Sequence, residues 1–157
     1  MIRLARPKDF DALADLYYCA VQQTAIALYS PEQIEAWSSF TKHREKFHPF
    51  IFNGDTFLKE INGEIVGFCG LEADGHVISL YVHPRFNRQG HGSALLRYVL
   101  QQGEARGMRR FYAEASYLSK SVFERCGFQV AGMETVDYFG VVFERFQMER
   151  WLGEPRQ

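Results

Sequence analysis

The sequence predicts an α+β domain whose mixed, mostly antiparallel sheet has about seven strands, with about four helices. Two observations predict this fold. Asn62-Gly63 joins two strand-like segments, 56–61 and 64–71, and this dipeptide favours a tight antiparallel hairpin. A strand, a glycine-containing turn, an amphipathic helix and another strand then follow between Val77 and Ala115, which predicts a right-handed parallel crossover. The predicted order is β-α-α-β-β-β-α-β-α-β-β.

Capping and turn signals place the other elements along the chain. The first helix is predicted to be capped by Asp9. The second starts at Ser30, because Ser30-Pro31-Glu32-Gln33 combines an N-cap serine, proline at the first helical position and a capping-box glutamine. The central helix stops at Gly107. The remaining predicted elements are a strand at 1–5, a turn at 73–75, strands at 76–82 and 111–116, a helix from 90 to 106, and a short helix starting at 119.

Composition favours a single enzyme-sized domain covering residues 1–157. With 46% hydrophobic and 15% aromatic residues, the chain can bury a substantial core. A net charge near −1 gives no reason to expect nucleic acid or a membrane surface as partner. Three cysteines without paired spacing, no signal peptide and no apolar run of about 18 residues predict a cytoplasmic protein with reduced thiols.

A phosphate-binding loop is predicted between the strand 76–82 and the central helix. Gly90 and Gly92 stand in Gly-x-Gly spacing, so no Cβ separates the backbone from a ligand. The free N–H groups of the first helical turn lie at the positive end of the helix dipole, where an anion binds. The chain lacks both the Gly-Lys-Ser/Thr of a P-loop and the third glycine of a dinucleotide fold.

Two segments resemble motifs of the GNAT family of N-acetyltransferases. Asn87-Arg88-Gln89-Gly90-His91-Gly92 resembles motif A, Gln/Arg-x-x-Gly-x-Gly/Ala. Asn87 departs from the motif, which has Gln or Arg at this position, and Arg85 and Arg88 are the candidates to supply a cation in its place. Segment 116–128 resembles motif B, with serines and Phe123 in place of its asparagine, alanine and tyrosine. The resemblance covers nearly the whole chain. It implies the GNAT fold and acetyl-CoA as cosubstrate, with pyrophosphate at motif A and pantetheine in a gap between two splayed parallel strands. The implied cofactor-binding residues are Leu80, Tyr81, Val82, Asn87, Arg88, Gln89, Gly90, His91, Gly92, Ser93, Ser116, Ser119 and Phe123.

Candidate acids and bases follow from the missing motif tyrosine and from strand alternation. Phe123 has no proton to donate to the departing thiolate, so a water or Tyr138, between the last strands, is the expected acid. His76 is predicted to share a strand face with Ile78, Leu80 and Val82, and falls where histone-type members of the family have a glutamate. His76 is therefore one candidate base, and the other interpretation is that it is an exposed histidine in a turn. Glu72 is the competing base, or else a solvated hairpin charge.

The resemblance implies direct transfer of an acetyl group to a primary amine of a small molecule or peptide, by a monomer or homodimer. A non-catalytic acyl-CoA-binding module is the alternative that the missing tyrosine suggests, and an acyltransferase using another acyl-CoA is a third. Tyr29 and Trp37 are either core residues or acceptor contacts. The histidines show no metal-ligand spacing, and no metal is inferred.

Overall fold

A computed structural model describes residues 1–153, in which five α-helices pack on seven strands. The predicted domain boundary at 157 lies outside the described residues. No helix in the described part is long and apolar enough to cross a membrane. The strands are β1 (Ile2–Leu4), β2 (Asp55–Ile61), β3 (Glu64–Leu71), β4 (Val77–Val82), β5 (Arg110–Ala115), β6 (Gln129–Tyr138) and β7 (Val141–Trp151). The helices are α1 (Phe10–Thr24), α2 (Pro31–Ser38), α3 (Arg44–Phe52), α4 (His91–Ala105) and α5 (Lys120–Arg125).

The strands form two antiparallel sheets that meet along β4 and β5. Their orders are β1-β2-β3-β4 and β5-β7-β6. One parallel bridge, between His76 and Tyr112, joins them, and the Tyr112 N–H donates to the Gly75 carbonyl at 3.1 Å. Beyond this bridge, no ladder pairs β4 with β5 in the described chain, so the two strands diverge. The predicted α+β fold with seven strands and a central strand–helix–strand unit is confirmed, with the strands divided between two antiparallel sheets.

Each face of the sheets carries its own hydrophobic core. Helices α1 to α3 cover one face, and their aromatic core includes the fully buried Phe47 and Phe68. Helices α4 and α5 cover the other face, where Leu95 and Phe111 are fully buried. Burial of such large side chains stabilises each layer by about 1.5–3 kcal/mol per residue. The α4 face holds the central crossover against β4 and β5.

The local signals at the second helix and at the hairpin are confirmed. Ser30 Oγ accepts from the Gln33 N–H at 3.1 Å, and Gln33 Oε1 accepts from the Ser30 N–H at 3.0 Å, which closes the capping box. Asn62 and Gly63 have φ values of 51° and 80°. A two-residue turn with two positive φ values matches the twist of the strands on either side.

Asp9 occupies the N-cap position of α1 as predicted, but its side chain makes no capping hydrogen bond to that helix. Its carboxylate instead accepts from the Arg6 N–H at 2.7 Å and from the Arg3 guanidinium at 2.9 and 3.0 Å. The hydrogen bond from Arg3 is the main reason that the pKa of Asp9 is lowered. Asp9 therefore closes the short turn before α1 and ties that turn to β1.

Helix α3 is an addition to the predicted elements. It runs through Pro49, whose missing N–H and ring disfavour a helix interior. Phe47 and Ile51, four residues apart, are fully buried against α1 and the sheet. Tertiary packing of these side chains therefore outweighs the helix-breaking tendency of Pro49. The helix count rises from the predicted four to five.

A β-bulge interrupts β4 at its start. Gly70 of β3 faces Ser79, but the next residue, Leu71, faces Val77. Ile78 is thus an extra residue without an opposite partner. A bulge of this kind shifts the alternation of side chains by one position and bends the strand.

The bulge overturns the prediction that His76, Ile78, Leu80 and Val82 share one face. Leu80 packs with the core under α4, and Val82 Cγ2 lies 3.6 Å from where a Cβ at Gly92 of α4 would be. His76 and Ile78 instead border a cavity on the opposite face. The extra residue therefore separates the histidine from the later residues of its strand.

Candidate active site

Two adjoining cavities open where β4 and β5 diverge. The smaller, about 110 Å³, lies between β4, the end of β5 and α5, and is called the crevice here. The larger, about 640 Å³, lies on the face covered by α1 to α3 and is called the cleft. Their shared wall consists of Trp37, Val77, Ile78, Tyr81, Glu114, Tyr138 and Arg145.

The crevice brings together residues from both motifs that the sequence singled out. Leu80 and Tyr81 line one side, and Ser116, Ser119 and Phe123 line the other. Val82 is not part of the lining, because it points toward α4. The crevice therefore follows the gap between the diverging strands.

Ser79 adds a polar group that the sequence analysis did not single out. Its side chain lines the crevice, it is only 5% exposed, and among residues 1–153 its hydroxyl has no hydrogen-bond partner. A buried hydroxyl without a partner is destabilising, by about 1–3 kcal/mol. A ligand in the crevice with a polar group beside β4 would satisfy it.

The two motif serines shape the turn between β5 and α5. Ser119 Oγ accepts from the Ser116 N–H at 3.0 Å, and Ser116 Oγ accepts from the N–H groups of Leu118 and Ser119 at 3.2 and 3.1 Å. These bonds orient the chain as it enters α5, at the wall of the crevice. Phe123, on α5, is 3% exposed and packs edge-on against Phe128 at 5.0 Å.

The glycine loop ends at the open N-terminus of α4. Gly90 is the N-cap residue with φ of 83°, a left-handed conformation that favours glycine, and a Cβ there would meet nothing within 4 Å. No side chain caps the helix, and the first helical hydrogen bond runs from the Ala94 N–H to the Gly90 carbonyl at 3.0 Å. The N–H groups of residues 91–93 are therefore available to an anion.

Side chains around this loop differ in what they offer an anion. Arg85 is bonded to Glu64 on β3 at 3.1 and 3.2 Å, whereas Arg88 is exposed and has no carboxylate within 4.0 Å in residues 1–153. His91 is buried, and desolvation lowers its pKa, so its ring is neutral at pH 7. Its Nε2 lies 3.3 Å from Gln89 Oε1. His91 thus provides a backbone N–H, and Arg88 is the free cation of the loop.

His76 bridges two carboxylates at the edge of the cleft. Its Nδ1 lies 2.6 Å from Glu72 Oε1, and its Nε2 lies 2.9 and 3.0 Å from the Glu114 oxygens. The Tyr112 ring stacks on the imidazole at 4.7 Å, and its hydroxyl donates to Asp74. Burial by itself lowers the pKa of His76, but the hydrogen bonds to the two carboxylates outweigh it, and the net pKa is raised. The imidazolium form, which donates to both carboxylates, is therefore favoured.

Glu114 is a site residue that the sequence reasoning missed. It lies on β5 and borders both cavities, next to the imidazole of His76. The available signal was alternation, because Phe111, Ala113 and Ala115 are buried against α4 and the residue between the alanines must face the other way. His76 and Glu72, the bases considered from sequence, lie in the same network. Which of the three accepts a proton stays a prediction.

Tyr138 is the last residue of β6 rather than a loop residue, and borders both cavities. It is 41% exposed, and its hydroxyl accepts from Arg145 Nη1 at 3.0 Å. Arg145 Nε also donates to Glu134 at 2.5 Å. These contacts hold the phenol at the shared wall of the cavities.

The two aromatic residues proposed as acceptor contacts take different places. Trp37 lies on the shared wall, and its indole N–H donates to the Tyr81 hydroxyl at 3.2 Å. Burial raises the pKa of Tyr81 to about 12, which keeps this phenol neutral. Tyr29 borders only the crevice, is buried, and accepts from the Tyr117 N–H at 2.9 Å. Trp37 therefore borders the larger space, whereas Tyr29 supports the turn before α5.

Comparisons with known proteins agree with this geometry. Residues 25–150 match the family described as acetyltransferase (GNAT) domain. The uncharacterized N-acetyltransferase YafP of Escherichia coli (strain K12) is 32% identical over 147 residues, which cover 94% of this chain and 93% of that protein.

Solved structures also share the fold over nearly all of this chain. A GCN5-related N-acetyltransferase from Rhodopseudomonas palustris, also described as aminotransferase, class-II, has a TM-score of 0.93 and 27% identity, over 97% of this chain and 95% of that one. The PaiA N-acetyltransferase of Thermoplasma acidophilum, in complex with coenzyme A, has a TM-score of 0.77 and 21% identity, over 96% and 98%. The second likeness concerns the fold alone. The family match and the E. coli relative together place this chain in the GNAT family of acetyltransferases.

Proposed function

We propose that this protein transfers an acetyl group from acetyl-CoA directly to a primary amine. The observation that carries the proposal is the Glu114 carboxylate on the shared wall of the crevice and the cleft. A group at this place reaches ligands in both cavities. Membership of the GNAT family supports acyl transfer as the reaction class.

The crevice and the glycine loop fit the donor. Acetyl-CoA, when bound, supplies a thioester whose carbonyl is open to an amine. The free N–H groups at the start of α4 and the exposed Arg88 would hold its pyrophosphate. The open edge of β4 and the unpartnered Ser79 hydroxyl would bond to polar groups of the pantetheine arm.

Proton removal is the task of the cleft network. An alkylamine with a pKa near ~10.4 arrives protonated and must lose a proton before nitrogen attacks carbon. Glu114 accepts this proton in the proposal, while the hydrogen bond from His76 fixes its orientation. His76 itself and Glu72 are the other candidate bases. As the C–N bond forms and the C–S bond breaks, the thiolate takes up a proton, for which the Tyr138 hydroxyl on the shared wall is the source.

The test is thiol release from acetyl-CoA over a panel of amines, with Glu114→Gln as the variant. General base catalysis is worth about 10²–10⁴-fold, so kcat should fall by that factor while coenzyme A affinity stays within about twofold. Glu149→Gln is the matched control, because Glu149 lies on β7, pairs with Arg110 and borders neither cavity. Equal turnover in both variants would remove Glu114 from the mechanism.

An acyl-CoA-binding module is the second candidate, favoured by Phe123. This ring lines the crevice and has no hydroxyl where the family motif has tyrosine. Tight coenzyme A binding without thiol release for any amine would establish the module. A panel of longer acyl-CoA donors, assayed in the same way, separates acetyl transfer from transfer of another acyl group.

A further inference from the structure

The cleft holds one lysine without an ionic partner. Lys46, in the first turn of α3, borders the cleft, and no carboxylate in residues 1–153 lies within 4.0 Å of its ammonium. The nearby Arg44 is paired with Asp11 at 2.8 Å, and Arg145 of the cleft wall is paired with Glu134. Lys46 is therefore the cation of this wall that is free to meet a ligand.

The turn between β6 and β7 holds Lys46 in place. The ammonium lies 5.5 Å from the centroid of the Phe139 ring, and His43 stacks on the same ring at 4.6 Å. The turn is closed by a bond from the Gly140 N–H to Asp137 Oδ1 at 2.8 Å. A cation near an aromatic face is attracted by the ring quadrupole. The contact keeps the lysine at the border of the cleft although its side chain is exposed.

The remaining walls of the cleft supply two further kinds of contact. Glu114 and His76 lie at the side where β4 and β5 separate. The rest of the lining is mostly aromatic, with Tyr17, Trp37, Phe40, Phe50 and Tyr81 among it. An apolar body would bury its surface against these rings. The cleft thus presents a carboxylate, an aromatic surface and an unpaired cation.

We propose that the acceptor is a primary amine that carries a carboxylate on an apolar body, with the carboxylate bound by Lys46. The inference rests on the proposed function, and names the substrate class of that same site. The ammonium of the acceptor would contact Glu114, its apolar body would lie against the aromatic rings, and its carboxylate would pair with Lys46. A charge-assisted hydrogen bond to an ammonium is stronger than a neutral one and favours the acid over an uncharged analogue.

The test uses acceptor pairs that differ only in this group. In 4-(aminomethyl)benzoate and 4-(aminomethyl)benzamide, and in the matching 3-substituted pair, the amine and the ring are the same. The acid of at least one pair should have a kcat/KM about tenfold above that of its amide, mainly through KM. Lys46→Gln should abolish the preference by weakening the acid, and Lys46→Arg should retain it. Arg44→Gln is the control, because it removes a neighbouring charge that is already paired.

Binding measurements separate failure of this inference from failure of the proposed function. Calorimetry with each acceptor, in the presence of coenzyme A, should show the same preference for the acid and its loss in Lys46→Gln. Binding with this pattern but without thiol release would contradict only the proposed function. A wild-type protein that treats acid and amide alike, or a Lys46→Gln variant that keeps the preference, overturns the inference.

Discussion

The crevice and the cleft share Glu114 but differ in the kind of protein groups that form them. The glycine loop and the crevice depend on backbone: the loop has an open helix N-terminus and a glycine in a left-handed conformation, and the crevice follows a strand edge that diverges from its neighbour. The cleft depends on side chains that come from α1, α2, α3, β4, β5, β6 and β7. A backbone site can accept one constant ligand over many changes of sequence, whereas a side-chain site changes its specificity with single substitutions. The difference suggests that the donor is fixed by the fold and the acceptor by the individual chain.

The largest expected effect tests the backbone site through Gly90→Val. A β-branched residue at φ of 83° is strained by about 1–3 kcal/mol, and relief of this strain moves the N–H groups at the start of α4. Coenzyme A affinity, measured by calorimetry, should fall by more than about 100-fold, since a displacement of 1 Å can have that effect in a site that depends on position.

Gly107→Val is the matched control for that prediction. Gly107 follows the other end of the same helix, has φ of 89°, and a Cβ there also meets nothing within 4 Å. Both variants should therefore lose thermal stability to a similar extent, and only Gly90→Val should lose coenzyme A. An equal loss of affinity in the two would mean that the loop is not the pyrophosphate site.

The next effect tests the side-chain site through His76→Gln. Glutamine carries no charge and has both of its N–H donors on one nitrogen, so it cannot bridge Glu72 and Glu114 as the two ring nitrogens of an imidazolium do, and Glu114 loses its fixed orientation. We expect kcat to fall on the order of tenfold to hundredfold with coenzyme A affinity unchanged. A variant with wild-type turnover would show that the network does not serve proton transfer.

The same variant should change how stability depends on pH. The pKa of His76 is raised in the folded protein above the usual value of ~6.5, so folding binds a proton. Its stabilisation is fully present below ~6.5 and is lost as the pH rises through the folded value. The difference in Tm between wild type and His76→Gln should be largest near pH 6 and shrink under alkaline conditions. A Tm difference that stays constant with pH would contradict a raised pKa of His76 in the folded protein.

A smaller effect concerns the Ser79 hydroxyl in the crevice. Ser79→Ala removes a buried group without a partner, so the free protein should gain about 1 kcal/mol of stability, or a few degrees in Tm. Acetyl-CoA affinity should fall by up to about tenfold. Ser38→Ala is the contrast, because Ser38 is buried but donates to the Ile34 carbonyl at 2.8 Å. It should lower Tm and leave the affinity unchanged.

The smallest effect is expected for Tyr138→Phe. A thiol with a pKa near ~8.5 leaves readily, so loss of the proposed proton donor should reduce kcat only about threefold. Tyr117→Phe serves for comparison, since the Tyr117 hydroxyl bonds to Glu144 and the residue borders neither cavity. If both variants behave alike in thiol-release kinetics, a water rather than Tyr138 supplies the proton.

Features encoded by neighbouring residues could be predicted from the sequence. The capping box at Ser30, the turn at Asn62-Gly63 and the open helix start at Gly90 each depend on a few adjacent residues with defined backbone preferences. The parallel crossover could be predicted because a strand–helix–strand order with parallel strands has one common topology. These features set the start of α2, the β2–β3 hairpin, the glycine loop and the central crossover, and leave the composition of the cleft open.

The cleft depends on contacts that no local pattern contains. The bulge at Ile78 comes from the pairing of β4 with β3, and without it alternation puts His76 on the wrong face. Glu114 becomes a site residue only because β5 diverges from β4 beside it. Lys46 borders the cleft because packing of Phe47 forms a helix around Pro49. In each case the deciding partner is distant in sequence.

The divergence of β4 and β5 also links the ligand to the lifetime of the protein. An unpaired strand edge inside the molecule offers amides that open and exchange with deuterium from the solvent more readily than those of a full ladder. A ligand that fills the gap protects both strands, and at a hundredfold excess over its Kd adds about 2.7 kcal/mol to the free energy of unfolding. Proteases act on transiently opened chains. Depletion of the ligand would therefore expose the protein to degradation, so that its abundance follows the supply of the molecule it binds.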